Sequence, residues 1–170
     1  MNTLKIALIL LLLPSQVRAD DIPLGDINVA LEVTAQPRIE VETPRSINLI
    51  SSPKNNGLYL ASVPIAVTLR RQESFRVSVK QPLTLTRDTG VVQEFYPATI
   101  YLVYPVAAGT GIGAAKRELS QMPETFNVAK ATSSHPRTDL LLNIYARAPE
   151  GPDIAGQYHG QLTLLFETNS

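Results

Sequence analysis

Apolar and polar residues alternate with a period of two along most of the chain, the pattern of a strand with one buried and one exposed face. The first run, DINVALEVTAQPRIEV (26–41), has apolar residues at its odd positions and is interrupted by Pro37. Runs with the same alternation lie at 63–69, 75–79, 83–85, 126–128, 140–146 and 158–166. A longer β-rich run covers 91–106 and is interrupted at Pro97. The pattern predicts seven or eight short strands.

Turn-forming sequences separate these runs: SSPKNNG (51–57), RDTG (87–90), SSHPRTD (133–139) and APEGPD (148–153). Glycine and asparagine adopt the positive φ that tight turns need. Short strands with such punctuation predict an all-β fold, a β-sandwich. A short helix is expected only around Ala114–Leu119.

The first residues, MNTLKIALILLLLPSQVRA, have the features of a secretory signal peptide, with cleavage expected after Ala19. The apolar run from Ile6 to Leu13 is much shorter than the roughly 20 residues that span a bilayer. An N-terminal anchor helix or a core helix is the alternative. We therefore expect residues 1–19 to be a signal peptide, followed by one domain of about 150 residues.

Composition narrows the function. The chain has no cysteine, so an exported protein of this sequence must be held together by core burial, by assembly, or by both. Its 15 basic and 15 acidic residues form no basic stripe, which argues against a nucleic-acid partner. No catalytic or metal-binding spacing is evident, so we expect neither an enzyme nor a cofactor.

Three local features could be taken for functional sites, and each has a simpler structural interpretation. His135 and His159 are the only histidines, and both are expected to be exposed. The loop Gly109-x-Gly111-x-x-Ala114 resembles a dinucleotide-binding fingerprint, but strands and helices do not alternate around it, and Pro105 is expected to end the strand before it. We expect a loop between strands. The arginines of LRRQESFR (69–76) could grip an acidic ligand, although a solvated hairpin end is the simpler interpretation.

Both ends of the chain resemble a known family. INVALEVTAQPRIEVE follows the expected cleavage site, and AGQYHGQLTLLF lies near the C-terminus. Together with the absence of cysteine, these segments are similar to pilin subunits of the chaperone–usher pathway, in particular the alpha class, the colonisation-factor fimbriae of enteric bacteria. The middle of the chain, from about Ser46 to Ala146, matches only in general character.

The resemblance implies an incomplete immunoglobulin-like sandwich that is completed by a donated strand. Residues 20–36 would be the N-terminal donor-strand extension, and residues 37–170 the pilin domain. The donor row would be Ile27, Val29, Leu31, Val33 and Ala35. The acceptor groove, which would also bind the chaperone, would be lined by Tyr158, Gly160, Leu162, Leu164 and Phe166. Ser170 would supply a terminal carboxylate for the chaperone.

The implied function is that of a structural subunit of a surface fimbria with a role in adhesion. Its partners would be identical or related pilin subunits, a periplasmic chaperone, an outer-membrane usher and a host receptor. Two alternatives remain open: a self-contained secreted β-sandwich that binds carbohydrate or protein, and a periplasmic enzyme. In the self-contained sandwich, residues 27–35 would be an ordinary first strand packed on its own domain.

Overall fold

The strands follow the alternation of the sequence. The structure is a computed structural model that describes residues 25–90, 93–108, 110–128, 136–151 and 153–169. The expected signal peptide with its cleavage site at Ala19, together with Gly109, His135 and Ser170, lies outside these residues. The described strands are β1 (Ile27–Ala35), β2 (Ile39–Glu42), β3 (Ser46–Ser51), β4 (Leu58–Leu69), β5 (Ser74–Gln81), β6 (Leu85–Arg87), β7 (Thr99–Ala108), β8 (Gly111–Leu119), β9 (Glu124–Asn127), β10 (Arg137–Arg147) and β11 (Tyr158–Thr168).

The strands form two layers that share β3. Neighbours along the main path run β8-β7-β10-β4-β3-β1-β11-β5-β9, while β2 pairs with β4 and β6 pairs with β11. The layers also meet near the two ends of this path, where the ring of Tyr104 in β7 packs edge-on against Phe126 in β9 with centroids 5.0 Å apart. The prediction of an all-β sandwich is confirmed.

The core lies between the two layers and is built from the alternating positions. In β4, residues Val63, Ile65, Val67 and Leu69 are buried, and Leu140, Leu142, Ile144 and Ala146 are buried on the neighbouring strand β10. The rings of Phe126, Phe75 and Phe166 stack in series from β9 through β5 to β11. The layers are therefore joined by apolar burial, which is the expected source of stability for a sandwich without disulfides.

The prediction of a short helix around Ala114–Leu119 is wrong. These residues belong to β8, which pairs with β7 from Ile100↔Leu119 to Ala108↔Gly111. Alanine, lysine and glutamate favour a helix in isolation, but pairing with a neighbouring strand overrides this weak preference.

Pro105 does not end its strand, contrary to the expectation from the sequence. It pairs with Ala114 inside the β7–β8 hairpin, whereas β10 pairs with β7 only as far as Val103. Pro105 thus lies where β7 has a neighbour on one side only, the position in a sheet that tolerates a missing N–H. Gly111 and Ala114 lie inside β8, so the expectation of a loop over these residues is wrong, and Gly109 lies outside the described residues. The dinucleotide-loop interpretation is also wrong, because it requires a helix where β8 pairs with β7 as an antiparallel strand.

Candidate functional site: the groove filled by the first strand

The site predicted from the two chain ends is one continuous structure. β1 lies between β3 and β11, parallel to β11 along its whole length and antiparallel to β3 over Ile27–Ala30. We call the space between these two neighbours the β3–β11 groove. In the structure, the groove predicted to receive a donated strand is filled by the chain's own first strand.

The predicted donor row and the predicted groove row face the same core. Their register partners are Ile27↔Tyr158, Val29↔Gly160, Leu31↔Leu162, Val33↔Leu164 and Ala35↔Phe166. Ile27, Val29 and Leu31 retain 1%, 0% and 5% of their accessible surface. Val33 is half-buried and Ala35 is exposed, so burial of the donor row decreases toward the C-terminal end of β1.

β11 presents the predicted lining of the groove. Tyr158, Leu162, Leu164 and Phe166 are buried, and Gly160 is half-buried among them. The other side of β11 is covered by β5 and β6, so only its β1 edge would become free if β1 left.

The opposite wall of the groove, β3, was not predicted from the sequence. Ile47 and Leu49 are buried on β3, and the N–H of Leu31 donates to the carbonyl of Arg45 just before that strand over 2.9 Å. The sequence signal for β3 was the alternation in SINLIS (46–51). This run was overlooked because it is short and lies close to Pro44.

Steric crowding explains the two glycines of the motif AGQYHG. A Cβ on Gly160 would lie 2.4 Å from the carbonyl oxygen of Thr84 and 2.8 Å from Cδ1 of Leu83. A Cβ on Gly156 would lie 2.5 Å from Nε of Arg87. The two glycines therefore let the segment before β6 and the side chain of Arg87 approach β11 closely, which fixes the position of this groove wall.

Tyr158 anchors the N-terminal end of β11. Its hydroxyl donates to the carbonyl of Ile154 over 2.6 Å, and its ring meets Phe95 edge-on with centroids 4.9 Å apart. Burial raises the pKa of the Tyr158 hydroxyl above its usual value, and the nearby positive charge of Arg87 opposes this by lowering it. The phenol therefore keeps its proton to a higher pH in the folded protein than in the unfolded chain.

Backbone hydrogen bonds fasten both ends of β1 to β11. At the start, the N–H of Tyr158 donates to the carbonyl of Asp26 over 3.0 Å. At the end, the N–H of Gln36 donates to the carbonyl of Phe166 over 3.0 Å. The side-chain oxygen of Gln36 also accepts from the N–H and the hydroxyl of Thr168, each over 3.2 Å.

A three-residue turn separates β1 from β2. The N–H of Ile39 donates to the carbonyl of Gln36 over 3.2 Å, and Arg38 between them has a φ of +80°. Pro37 therefore lies in the turn, at the predicted boundary between donor strand and domain.

The outer face of the β1–β11 pair is polar. The side-chain amide of Gln161 donates to the carboxylate of Glu32 over 2.7 Å, and Nδ1 of His159 contacts the carboxylate of Asp88. The expected exposure of His159 is confirmed. These contacts lie on the solvent side and do not touch the buried row.

The other residues considered for ligand or metal binding add little to the candidate site. Arg70 pairs with Glu40 at an exposed position beyond the end of β4, which agrees with a solvated hairpin end. Within the described ranges, no three histidine, cysteine, aspartate or glutamate residues are grouped so that they could hold a metal ion. In the same part of the chain no helix has the length and apolar character needed to cross a membrane.

Comparison with known proteins gives a structural likeness but no match in sequence. No protein-family model matches the chain, and no curated protein matches its sequence. Among solved structures, the fold is similar to the CooA pilin subunit from enterotoxigenic Escherichia coli, with a TM-score of 0.47 and 11% sequence identity. The aligned region covers 79% of this chain and 99% of that subunit.

Proposed function

We propose that this protein is the structural subunit of a surface fimbria and that it polymerises by donor-strand exchange. In this proposal, β1 of one copy leaves its own groove and fills the β3–β11 groove of the next copy. The observation that supports the proposal most strongly is the position of β1, a first strand whose apolar row is buried in a groove between β3 and β11.

β1 can leave without rearranging any other strand, because one turn at Gln36–Arg38 joins it to the rest of the described chain. Its departure would uncover the core-facing residues of both groove walls. Burial of each large apolar side chain contributes roughly 1.5–3 kcal/mol, so an empty groove is strongly disfavoured. The strand of a second copy has the same residues and could restore this burial.

Strand direction favours exchange over closure. The longer ladder of β1, with β11, is parallel, and parallel ladders are slightly less stable per residue than antiparallel ones. A strand donated in the opposite direction would form an antiparallel ladder with β11. Such a contact joins two different surfaces, so repeated exchange does not close and builds a filament.

The proposed assembly implies a location and partners. Export through the periplasm to the cell surface, a periplasmic chaperone, an outer-membrane usher and a host receptor all follow from the resemblance of the chain ends to chaperone–usher pilins. The chaperone would fill the same groove before exchange, by strand addition.

A self-contained secreted sandwich is the second candidate function. The observation in its favour is the same one: the groove is already filled by the chain's own strand. The two proposals differ in whether β1 can be replaced. An irreplaceable β1 gives a permanent monomer, whereas a replaceable one gives polymers.

The experiment uses synthetic peptides so that the protein itself remains unaltered. A fluorescent peptide with the sequence of residues 26–36 is incubated with the purified monomer, and its capture is measured by fluorescence anisotropy. Peptides carrying Val29→Asp and Ala30→Asp provide the matched pair, since Val29 is buried and Ala30 is exposed on the same strand.

We expect capture of the natural peptide and of the Ala30→Asp peptide, and none of the Val29→Asp peptide, because an unpaired buried carboxylate is costly. The unlabelled monomer should also form filaments visible by negative-stain electron microscopy after long incubation. A monomer that captures no peptide and forms no filaments at high concentration would support the self-contained sandwich instead.

A further inference from the structure

The turn after β1 contains a strained residue. Arg38 has a φ of +80°, in the left-handed region that residues other than glycine and asparagine rarely adopt. Proline at the second turn position, positive φ at the third and the Ile39-to-Gln36 hydrogen bond are the features of a type II turn. That turn normally has glycine or asparagine at the position that Arg38 occupies.

The sequence leaves no other residue in the turn to supply the reversal. The ring of Pro37 fixes its own φ near −65° and restricts Gln36 to extended geometry. In this structure the chain folds back from β1 into β2 through the positive φ at Arg38. The turn closes only while β1 lies in its own groove, with Gln36 bonded to Phe166 and Thr168.

Departure of β1 would remove the cause of the strain. Once Gln36 releases Phe166 and the turn opens, nothing holds Arg38 at positive φ. The carbonyl of Arg38 would still accept from the N–H of Arg70 over 2.9 Å, which keeps the start of β2 in place. Arg38 could then return to the extended region as the last residue before β2.

We infer that Arg38 is a strained hinge that weakens the hold of the groove on the chain's own β1 and so favours release of that strand. This inference rests on the proposed function for its purpose, since release matters only if β1 is exchanged. Its chemistry concerns the monomer alone. The left-handed conformation disfavours the closed state by about five- to thirtyfold relative to a residue that accepts it fully.

The test is hydrogen exchange of backbone amides in the purified monomer, compared among variants at one position. Arg38→Asn and Arg38→Gly accept positive φ and should slow the exchange of the β1 amides. The expected change is about five- to tenfold for Arg38→Asn, and less for Arg38→Gly because glycine also gains freedom in the open state. Arg38→Val should accelerate exchange, because a β-branched residue is least tolerated at positive φ.

The chain offers a matched control. Arg71 also has a positive φ, +59°, in the connection between β4 and β5, outside the turn of β1 but next to Arg70, whose N–H donates to the Arg38 carbonyl. Arg71→Asn removes the same charge and the same kind of strain. It should leave the exchange of the β1 amides unchanged relative to that of the β10 amides in the core.

The outcomes separate this inference from the proposed function. Equal exchange rates of β1 amides in Arg38→Asn and Arg38→Val would overturn the hinge, as would β1 amides that exchange only together with those of β10. If the variants order as expected but no peptide is captured, the hinge stands and the fimbrial proposal fails. If peptides are captured but the variants do not differ, the fimbrial proposal stands and the hinge fails.

Discussion

Gly160 and Thr84 approach each other so closely that a side chain on the glycine would collide with the backbone of the threonine. The distance from an ideal Cβ on Gly160 to the Thr84 carbonyl oxygen is 2.4 Å, with Cδ2 of Leu85 at 3.0 Å. A carbonyl at the entry to β6 cannot rotate away as a side chain can. The glycine therefore sets the spacing between β11 and β6 at the start of the groove.

Gly160→Ala should destabilise the protein by about 1–3 kcal/mol, the usual cost of forcing an extra methyl group into a packed site. Equilibrium unfolding in urea measures the loss. Gly111→Ala is the control, because the nearest atom to its Cβ would be 3.8 Å away, and its effect should remain within about 0.5 kcal/mol. Equal effects of the two substitutions would show that the close approach to Thr84 is not sterically limiting.

Phe75→Ala should cost about 3–5 kcal/mol of unfolding free energy, because it leaves a cavity in the middle of a stack. The Phe75 ring is fully buried, with centroids 5.7 Å from Phe126 and 6.0 Å from Phe166. Urea unfolding followed by circular dichroism gives the value. Phe75→Leu should cost clearly less, and a leucine variant as unstable as the alanine variant would contradict the cavity argument.

The ion pair between Arg117 and Glu124 joins the edge strands β8 and β9, with Nη1 and Oε2 3.2 Å apart. Both side chains are about 40% exposed, so a double-mutant cycle with alanine at each position should give a coupling below about 1 kcal/mol.

Arg117→Ala alone should cost more than this coupling. The guanidinium also donates to the carbonyl of Thr125 over 3.2 Å and lies 5.7 Å from the centre of the Tyr104 ring. Unfolding of the single variants should therefore show a larger loss for Arg117→Ala than for Glu124→Ala. Equal losses would mean that the contacts of Arg117 with the ring and the carbonyl contribute nothing.

The raised pKa of Tyr158 predicts a loss of stability in alkaline solution. Below the unfolded-state pKa of 10.0 both states hold the proton, and this group adds no pH dependence. Between that value and the higher folded-state pKa, only the folded state holds it, so stability falls as pH rises. Burial is the larger cause of the shift, and Arg87 reduces it.

Tyr158→Phe removes this ionisation together with the hydrogen bond to Ile154. The variant should be about 1 kcal/mol less stable at neutral pH, because that hydrogen bond is lost. The gap should narrow above pH 10, and urea unfolding at pH 7 and at alkaline pH compares the two proteins. A gap that stays constant or widens would contradict a raised pKa of Tyr158 in the folded protein.

Alternation alone was sufficient to predict the long strands β4, β10 and β11, which supply much of the core. Period-two burial at 63–69 and 140–146 survives in the structure because each run is long and has one apolar face. The predicted donor row likewise lies beside the predicted groove row in the sheet. The strand at Ala114–Leu119 was not predicted, because its helix-forming side chains do not alternate. Its pairing with β7 is visible only in the structure.

Other features depend on contacts that a sequence does not reveal. The parallel direction of β1 and β11, and the shared strand β3, are set by how distant segments meet. Glycine is required at position 160 because the carbonyl of Thr84, many residues earlier in the chain, leaves no room for a Cβ. The sequence left open whether residues 27–35 serve a neighbour or pack on their own domain as an ordinary first strand.

The pairing of the first strand with the last has a consequence for how the protein folds. Glu32 and Gln161, which are hydrogen-bonded across β1 and β11, are 129 residues apart in the chain. Contacts of such high sequence separation form slowly, since a long loop must close before they yield any gain. During synthesis β1 emerges first but has no completed groove until β11 follows. Until then only β3 can pair with β1, and another polypeptide that meets the remaining edge of β1 competes with the chain's own end.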